Sequence, residues 1–132
     1  MRIPDGPQRA PGRVGVKNQN KIHDMKVVIT STGDSPDALV DRRFGRCHYF
    51  VVYDTLTGVS EFIPNPGIDH LEGAGVAAVN LMAEKGVKKV VSGEFGAKVK
   101  SLFDQLQVQL VSVSHESMTV RKVIEMLSEA GE

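Results

Sequence analysis

Residues 73–113 read GAGVAAVNLMAEKGVKKVVSGEFGAKVKSLFDQLQVQLVSV, and this stretch decides the fold. Over residues 73–85, Val76, Val79, Ala83 and neighbouring alanines recur at helical spacing, and Gly86 stands where a helix C-terminal cap belongs. Residues 89–93 then read as a short strand. Residues 96–105, with the following Leu106, place Val99, Leu102 and Phe103 on one face of a second helix, ahead of a strand over 108–113. Helix, strand, helix, strand in so few residues calls for crossover connections and parallel strands.

Working outward, the β-branched run at 26–32 (KVVITST) predicts a buried strand, and residues 33–41, with Asp34, Ser35 and Pro36, read as a loop. Residues 48–54 and 59–64 flank turn residues 55–58 and predict a β-hairpin. After the central stretch, residues 117–130 place Val120, Val123, Ile124 and Leu127 inward on a last helix, with Gly131 beyond its end. The order is β-β-β-α-β-α-β-α. It predicts an α/β domain: a mixed five-stranded sheet with three flanking helices, two right-handed crossovers, later strands parallel to the first, and one antiparallel strand from the hairpin.

The domain is expected to span residues 25–132. Residues 1–24 hold three prolines, three glycines and little apolar periodicity, so they read as a disordered tail, an expression remnant or a mis-set start. Five basic and two acidic side chains lie there, which leaves 11 basic and 14 acidic residues, a net −3, on the remainder. A mildly acidic domain argues against non-specific nucleic-acid binding, which needs a basic face to release counterions. One cysteine, Cys47, excludes an intramolecular disulfide and a cage of several thiolates from one chain. No apolar run reaches the ~18 residues of a membrane span and no apolar signal core opens the chain, so the expected setting is cytoplasmic, with no membrane partner.

Chemistry concentrates at residues 41–48, Asp41-Arg42-Arg43-Phe44-Gly45-Arg46-Cys47-His48. Three guanidinium groups suit sulfide, oxo or phosphate anions, and their field should lower the Cys47 pKa toward the thiolate that soft metals take. The plainer alternative has the arginines solvated or paired with Asp41, Phe44 in the core and Cys47 inert. A second group is Gly73-Ala74-Gly75 at one helix start, preceded by Pro64-Asn65-Pro66-Gly67 and His70, and Gly93-Glu94-Phe95-Gly96 at the next. Helix N-termini offer unpaired N–H groups, and glycine lets an anion approach the backbone; the same glycines could simply permit tight turns.

Other motifs argue by mismatch. Gly73-x-Gly75-x-x-Ala78 does not follow the first strand, as a dinucleotide fingerprint must, and there is no Walker loop. His48, His70 and His115 are too scattered for a metal motif, His115-Glu116 lacks a zincin's second histidine, and Met82 and Met118 read as core fillers. The element order is that of ribonuclease-H-like proteins, yet the first strand carries no acid for two-metal phosphoryl chemistry, and no G-x-S-x-G elbow occurs. The chain is therefore read as a non-enzyme.

Residues 40–50 (VDRRFGRCHYF), Gly73-Ala74-Gly75 opening a helix, residues 84–87 (EKGV), Gly93-Glu94-Phe95-Gly96, Ala97 and Leu102 together resemble the dinitrogenase iron-molybdenum cofactor biosynthesis family, which includes NifX-like carriers, the C-terminal part of NifB and the orange protein. The resemblance covers residues 25–132. It implies a ribonuclease-H-like fold without nuclease function and weakly ligated binding of an iron-sulfur, iron-molybdenum or molybdenum-copper cluster in cofactor assembly or storage. It points to Arg43, Gly45, Arg46, Cys47, His48, Gly73, Gly75, Gly93 and Gly96 as cofactor-binding, with Cys47 as the metal ligand, and to cluster-assembly or acceptor proteins as partners. The alternative is a regulatory protein-interaction module of the same fold without a cluster; a nucleotide or phosphate-metabolite enzyme ranks behind both.

Overall fold

A computed structural model describes residues 25–130. The expected tail at 1–24 and the placement of Gly131 past the last helix lie outside the described residues. The elements run β1 (Lys26–Ser31), β2 (Tyr49–Asp54), β3 (Ser60–Pro64), α1 (Ala74–Glu84), β4 (Val87–Ser92), α2 (Ala97–Gln105), β5 (Gln109–Ser112) and α3 (Val120–Ala130), in the order the sequence predicts.

The sheet order is β3-β2-β1-β4-β5. β2 runs antiparallel to both β1 and β3, while β4 pairs parallel with β1 and β5 with β4, so β2 is the one antiparallel strand. This is the ribonuclease-H-like mixed sheet.

Strand alternation sorts the side chains into two cores. Val27, Ile29, Val51 and Val91 point to one face, where Val120 and Val123 of α3 meet them with Val40. Val28, Phe50, Val52 and Val90 point to the other, under Ala78, Val79 and Met82 of α1 and Val99 and Phe103 of α2. Each fully buried Val or Phe contributes about 1.5–3 kcal/mol. The β3-to-β4 and β4-to-β5 crossovers therefore move the same way across the sheet over the same face, and share one hand.

Because β1, β3, β4 and β5 all run the same way, their carboxyl ends come to one rim. There the segment after β1 is stitched along the sheet by isolated bridges, Ser31 to Val40, Leu39 to Thr119 and Arg43 to Glu94. Beneath it Thr30 Oγ1 lies 3.0 Å from the Asp41 carbonyl oxygen and 2.9 Å from Ser92 Oγ. Burial of Thr30 and Ser92 makes these polar contacts obligatory, and they hold residues 41–43 at the end of β1 and β4.

Candidate functional site

Two rim loops meet over the starts of α1 and α2. The first, residues 43–48, is anchored by Phe44, which is 2% exposed, with its ring centroid 5.8 Å from Phe50, 5.9 Å from Phe95 and 5.3 Å from Phe103. Gly45 then lies directly on α1: a Cβ there would stand 2.8 Å from Gly75 Cα and 2.9 Å from Gly75 N. At Gly75 a Cβ would meet Val99 Cγ2 at 2.9 Å, so glycine is what lets α1, α2 and this loop converge.

The second loop, residues 65–73, is tied to the first by two side chains. Buried Asn65 donates from Nδ2 to the carbonyls of Gly45 (3.1 Å) and Cys47 (2.9 Å), and its Oδ1 accepts from Gly67 N–H (2.9 Å). Arg46 reaches the other way. Its Nη1 donates to the His70 carbonyl and lies 3.5 Å from that of Ile68, and its Nη2 donates to Leu71 O at 3.3 Å.

Between these loops and the helix ends lies a cavity of about 420 Å³, lined by Arg43, Phe44, Gly45, Arg46, Gly73, Ala74, Gly75, Glu94, Phe95, Gly96 and Val99. That volume is in the range of small-molecule sites. Both helices that open on it lack a side-chain cap and have no acid in the first turn: α1 starts from Gly73 in the left-handed conformation (φ 77°), α2 from Gly96 in extended conformation. The N–H groups of Ala74, Gly75 and Val76, and of Ala97, Lys98 and Val99, have no acceptor among the described residues. Two positive dipole ends thus share one cavity.

The arginines differ in their engagements. Arg42 Nη1 lies 3.6 Å from Glu94 Oε1, with both side chains about half exposed, a pairing worth about 0–1 kcal/mol. Arg46 is committed to loop carbonyls. Arg43 is exposed, lines the cavity, and its guanidinium has no partner among the described residues.

Of the residues singled out from sequence, Arg43, Gly45, Arg46, Gly73, Gly75 and Gly96 come together at this cavity. Cys47, His48 and Gly93 do not line it. Cys47 is fully buried in the core beneath α1 and α2, and burial, with the Asp41 charge adding to it, pushes its thiol well above the usual thiol range. The expected lowering of the Cys47 pKa by the arginines is thus reversed, because desolvation outweighs a cationic field spent on carbonyls and solvent. His48 is exposed, with Nδ1 3.6 Å from Asp41 Oδ2. Gly93 serves packing: a Cβ there would sit 2.8 Å from Arg42 Cα and 3.1 Å from His115 Cβ. Among the described residues no three His, Cys, Asp or Glu side chains gather as a metal site. Sequence reasoning missed the apolar wall of Phe95 and Val99 and the stitching by Asn65. An aromatic beside a glycine reads as core, and one amide within Pro-Asn-Pro-Gly reads as a turn.

The wall that results combines helix-start N–H groups and guanidinium with aromatic and aliphatic carbon, and it carries one carboxylate, Glu94, whose charge is offset by Arg42 at 3.6 Å. It suits a compact anion held by charge and backbone. It offers no soft ligand.

Comparison with known proteins bears on the family and the fold. The family model described as dinitrogenase iron-molybdenum cofactor matches residues 25–130. The structure is similar to the apo form of the orange protein from Desulfovibrio gigas, with a TM-score of 0.73 and 28% identity, covering 83% of this chain and 91% of that one. It is also similar to TM1290 from Thermotoga, provisionally described as a NifB protein, with a TM-score of 0.68 and 28% identity over 81% of this chain and 90% of that one. The uncharacterised protein MJ0580 of Methanocaldococcus jannaschii is 28% identical over 78 residues, which are 57% of this chain and 66% of that relative's length.

Proposed function

The chain belongs to the dinitrogenase iron-molybdenum cofactor family, and we propose that it binds an anionic metal-sulfur cluster as cargo in the cavity between the starts of α1 and α2, for metallocofactor assembly or storage. The observation that carries this reading is that two uncapped helix N-termini and an unpaired arginine open on one cavity. Unpaired N–H groups and a dipole end favour negative charge, and the low-dielectric wall of Phe44, Phe95 and Val99 strengthens each such contact. The cluster is of iron-sulfur, iron-molybdenum or molybdenum-copper type, and its sulfides accept from N–H groups.

The donor set decides how the cargo is held. Cys47 lies in the core with its thiol kept protonated, so the cavity wall supplies no thiolate. Retention therefore rests on charge and backbone donors, an arrangement suited to a protein that must give its cargo up. The proposed partners are the cluster-assembly or acceptor proteins that deliver and receive it. No helix among the described residues is long and apolar enough to cross a membrane.

The test is anaerobic. Purified chain is incubated with tetrathiomolybdate, or with iron and sulfide, desalted, and assayed for metal and acid-labile sulfide. The expected result is a coloured complex at about one cluster per chain. No retained metal, together with capture of a protein partner, would instead establish a cluster-free interaction module.

A further inference from the structure

The two arginines that line the cavity are bonded differently, and the difference assigns them different work. Arg46 directs both terminal nitrogens at the carbonyls of Ile68, His70 and Leu71. A planar guanidinium is suited to that task, because its donors are fixed in a fork and can serve several acceptors at once. Those carbonyls lie on the segment that runs into Gly73, the left-handed residue from which α1 starts. From the other loop Asn65 bonds back to Gly45 and Cys47. The loops are thus cross-stitched on both sides of the Gly45–Gly75 contact, and the N–H groups of α1 are presented at a set position. Arg43 is bridged to Glu94 through the backbone alone, and its guanidinium makes no such bonds.

We infer that Arg46 is a positioning residue that clamps residues 68–71 and so sets the start of α1, while Arg43 is the guanidinium that meets the anion and sets its affinity. The assignment of Arg43 rests on the cluster-cargo reading; that of Arg46 concerns the ligand-free fold and stands apart from it. A clamp acts before any ligand arrives, whereas a contact to an anion acts only when the anion is present. The two roles separate on that ground.

The experiment compares full-length parent, Arg43→Ala, Arg46→Ala and Arg46→Lys by amide hydrogen exchange without ligand and by anaerobic tetrathiomolybdate titration at several sodium chloride concentrations. Amides of β1 and β4 report that each variant is folded. In Arg46→Ala, exchange across residues 68–76 should rise by about tenfold or more without ligand, while in Arg43→Ala it stays at the parent rate. Arg43→Ala should weaken tetrathiomolybdate binding by about tenfold or more at low salt, with the deficit shrinking as salt rises. Arg46→Lys keeps the charge without the fork, and should still exchange faster and bind more weakly than the parent.

Parent-like exchange in Arg46→Ala, or parent-like affinity in Arg46→Lys despite a loosened loop, would overturn the positioning role. Arg43→Ala binding as tightly as the parent at every salt concentration would overturn the contact role. If the parent binds no tetrathiomolybdate, the cargo reading and the role of Arg43 fall with it, and the exchange rates alone decide Arg46.

Discussion

The start of α3 and the starts of α1 and α2 solve the same problem in opposite ways. At α3, Val120 N–H donates to Ala38 O (2.9 Å), Arg121 N–H to Pro36 O (2.8 Å) and Lys122 N–H to the hydroxyl of Thr119 (3.1 Å), so its first turn is satisfied within the chain. At α1 and α2 the residue before the helix is glycine, with no side chain to offer. The far ends of α1 and α2 are closed normally: Lys85 and Gly86 N–H return to Leu81 and Ala83, and Leu106 and Gln107 N–H to Leu102 and Asp104. Among these described helix ends, the starts that share the cavity are the ones left open. A glycine N-cap forgoes about a few tenths of a kcal/mol of helix stability relative to a side-chain cap, and leaves the first-turn donors free for the proposed anion.

The comparison can be broken first at Gly45. Gly45→Val forces carbon into the Gly75 backbone, which cannot yield as a flexible side chain would. Overpacking of this kind costs about 1–3 kcal/mol. The thermal midpoint should fall by several degrees and tetrathiomolybdate uptake should be lost, and a variant that melts and binds like the parent would show that the loop does not need its close seat on α1.

Thr119→Ala sharpens the contrast from the other side. Removing the hydroxyl that caps α3 should cost about 1 kcal/mol in a denaturant melt while leaving tetrathiomolybdate affinity unchanged, since that helix covers the opposite face. A change in affinity would couple the two faces.

Cys47→Ser should likewise leave the mode of binding unchanged. The thiol is buried and its pKa is raised, so the folded chain holds it neutral while the unfolded chain ionises it above about pH 8.5. Stability from this group is therefore complete below that pH and is lost as the solution becomes more alkaline. The optical spectrum of bound tetrathiomolybdate should be the same in parent and Cys47→Ser. A shifted charge-transfer band in the variant would place sulfur on the metal.

The fold was legible because each element carries its own period. β-branched runs such as 26–30 and apolar spacing such as Val120, Val123, Ile124 and Leu127 name their class without help from tertiary structure. Boundaries slipped where polar residues join an element through pairing. β4 begins at Val87, two residues before the predicted start, because Val87 pairs with Lys26 and brings Lys88 into the strand with it. The last helix begins at Val120 rather than 117, because residues 114–118 form a turn closed by Met118 N–H on Ser114 O.

At the site, Gly45, Gly73, Gly75, Gly96 and the arginines were legible as types that bind anions. Which arginine is already engaged was not, since the Arg46 partners lie more than 20 positions away and are carbonyls that every residue possesses. Cys47 misled for a related reason. Its neighbours along the chain are cationic, but its neighbours in space are the core under α1 and α2, and desolvation is set by space.

The most direct test of the account converts one open helix start into a closed one. Gly96 has the extended conformation of an N-cap residue, and a Cβ there meets nothing within 4 Å, so Gly96→Asp can cap α2 while placing a carboxylate at the cavity. Titrated anaerobically with tetrathiomolybdate beside the parent, the variant should bind at least about tenfold more weakly, a loss of about 1.4 kcal/mol, while its folding stability stays level or rises by about a few tenths of a kcal/mol. Parent-like affinity in a folded Gly96→Asp would contradict the claim that the uncapped start of α2 holds the anion.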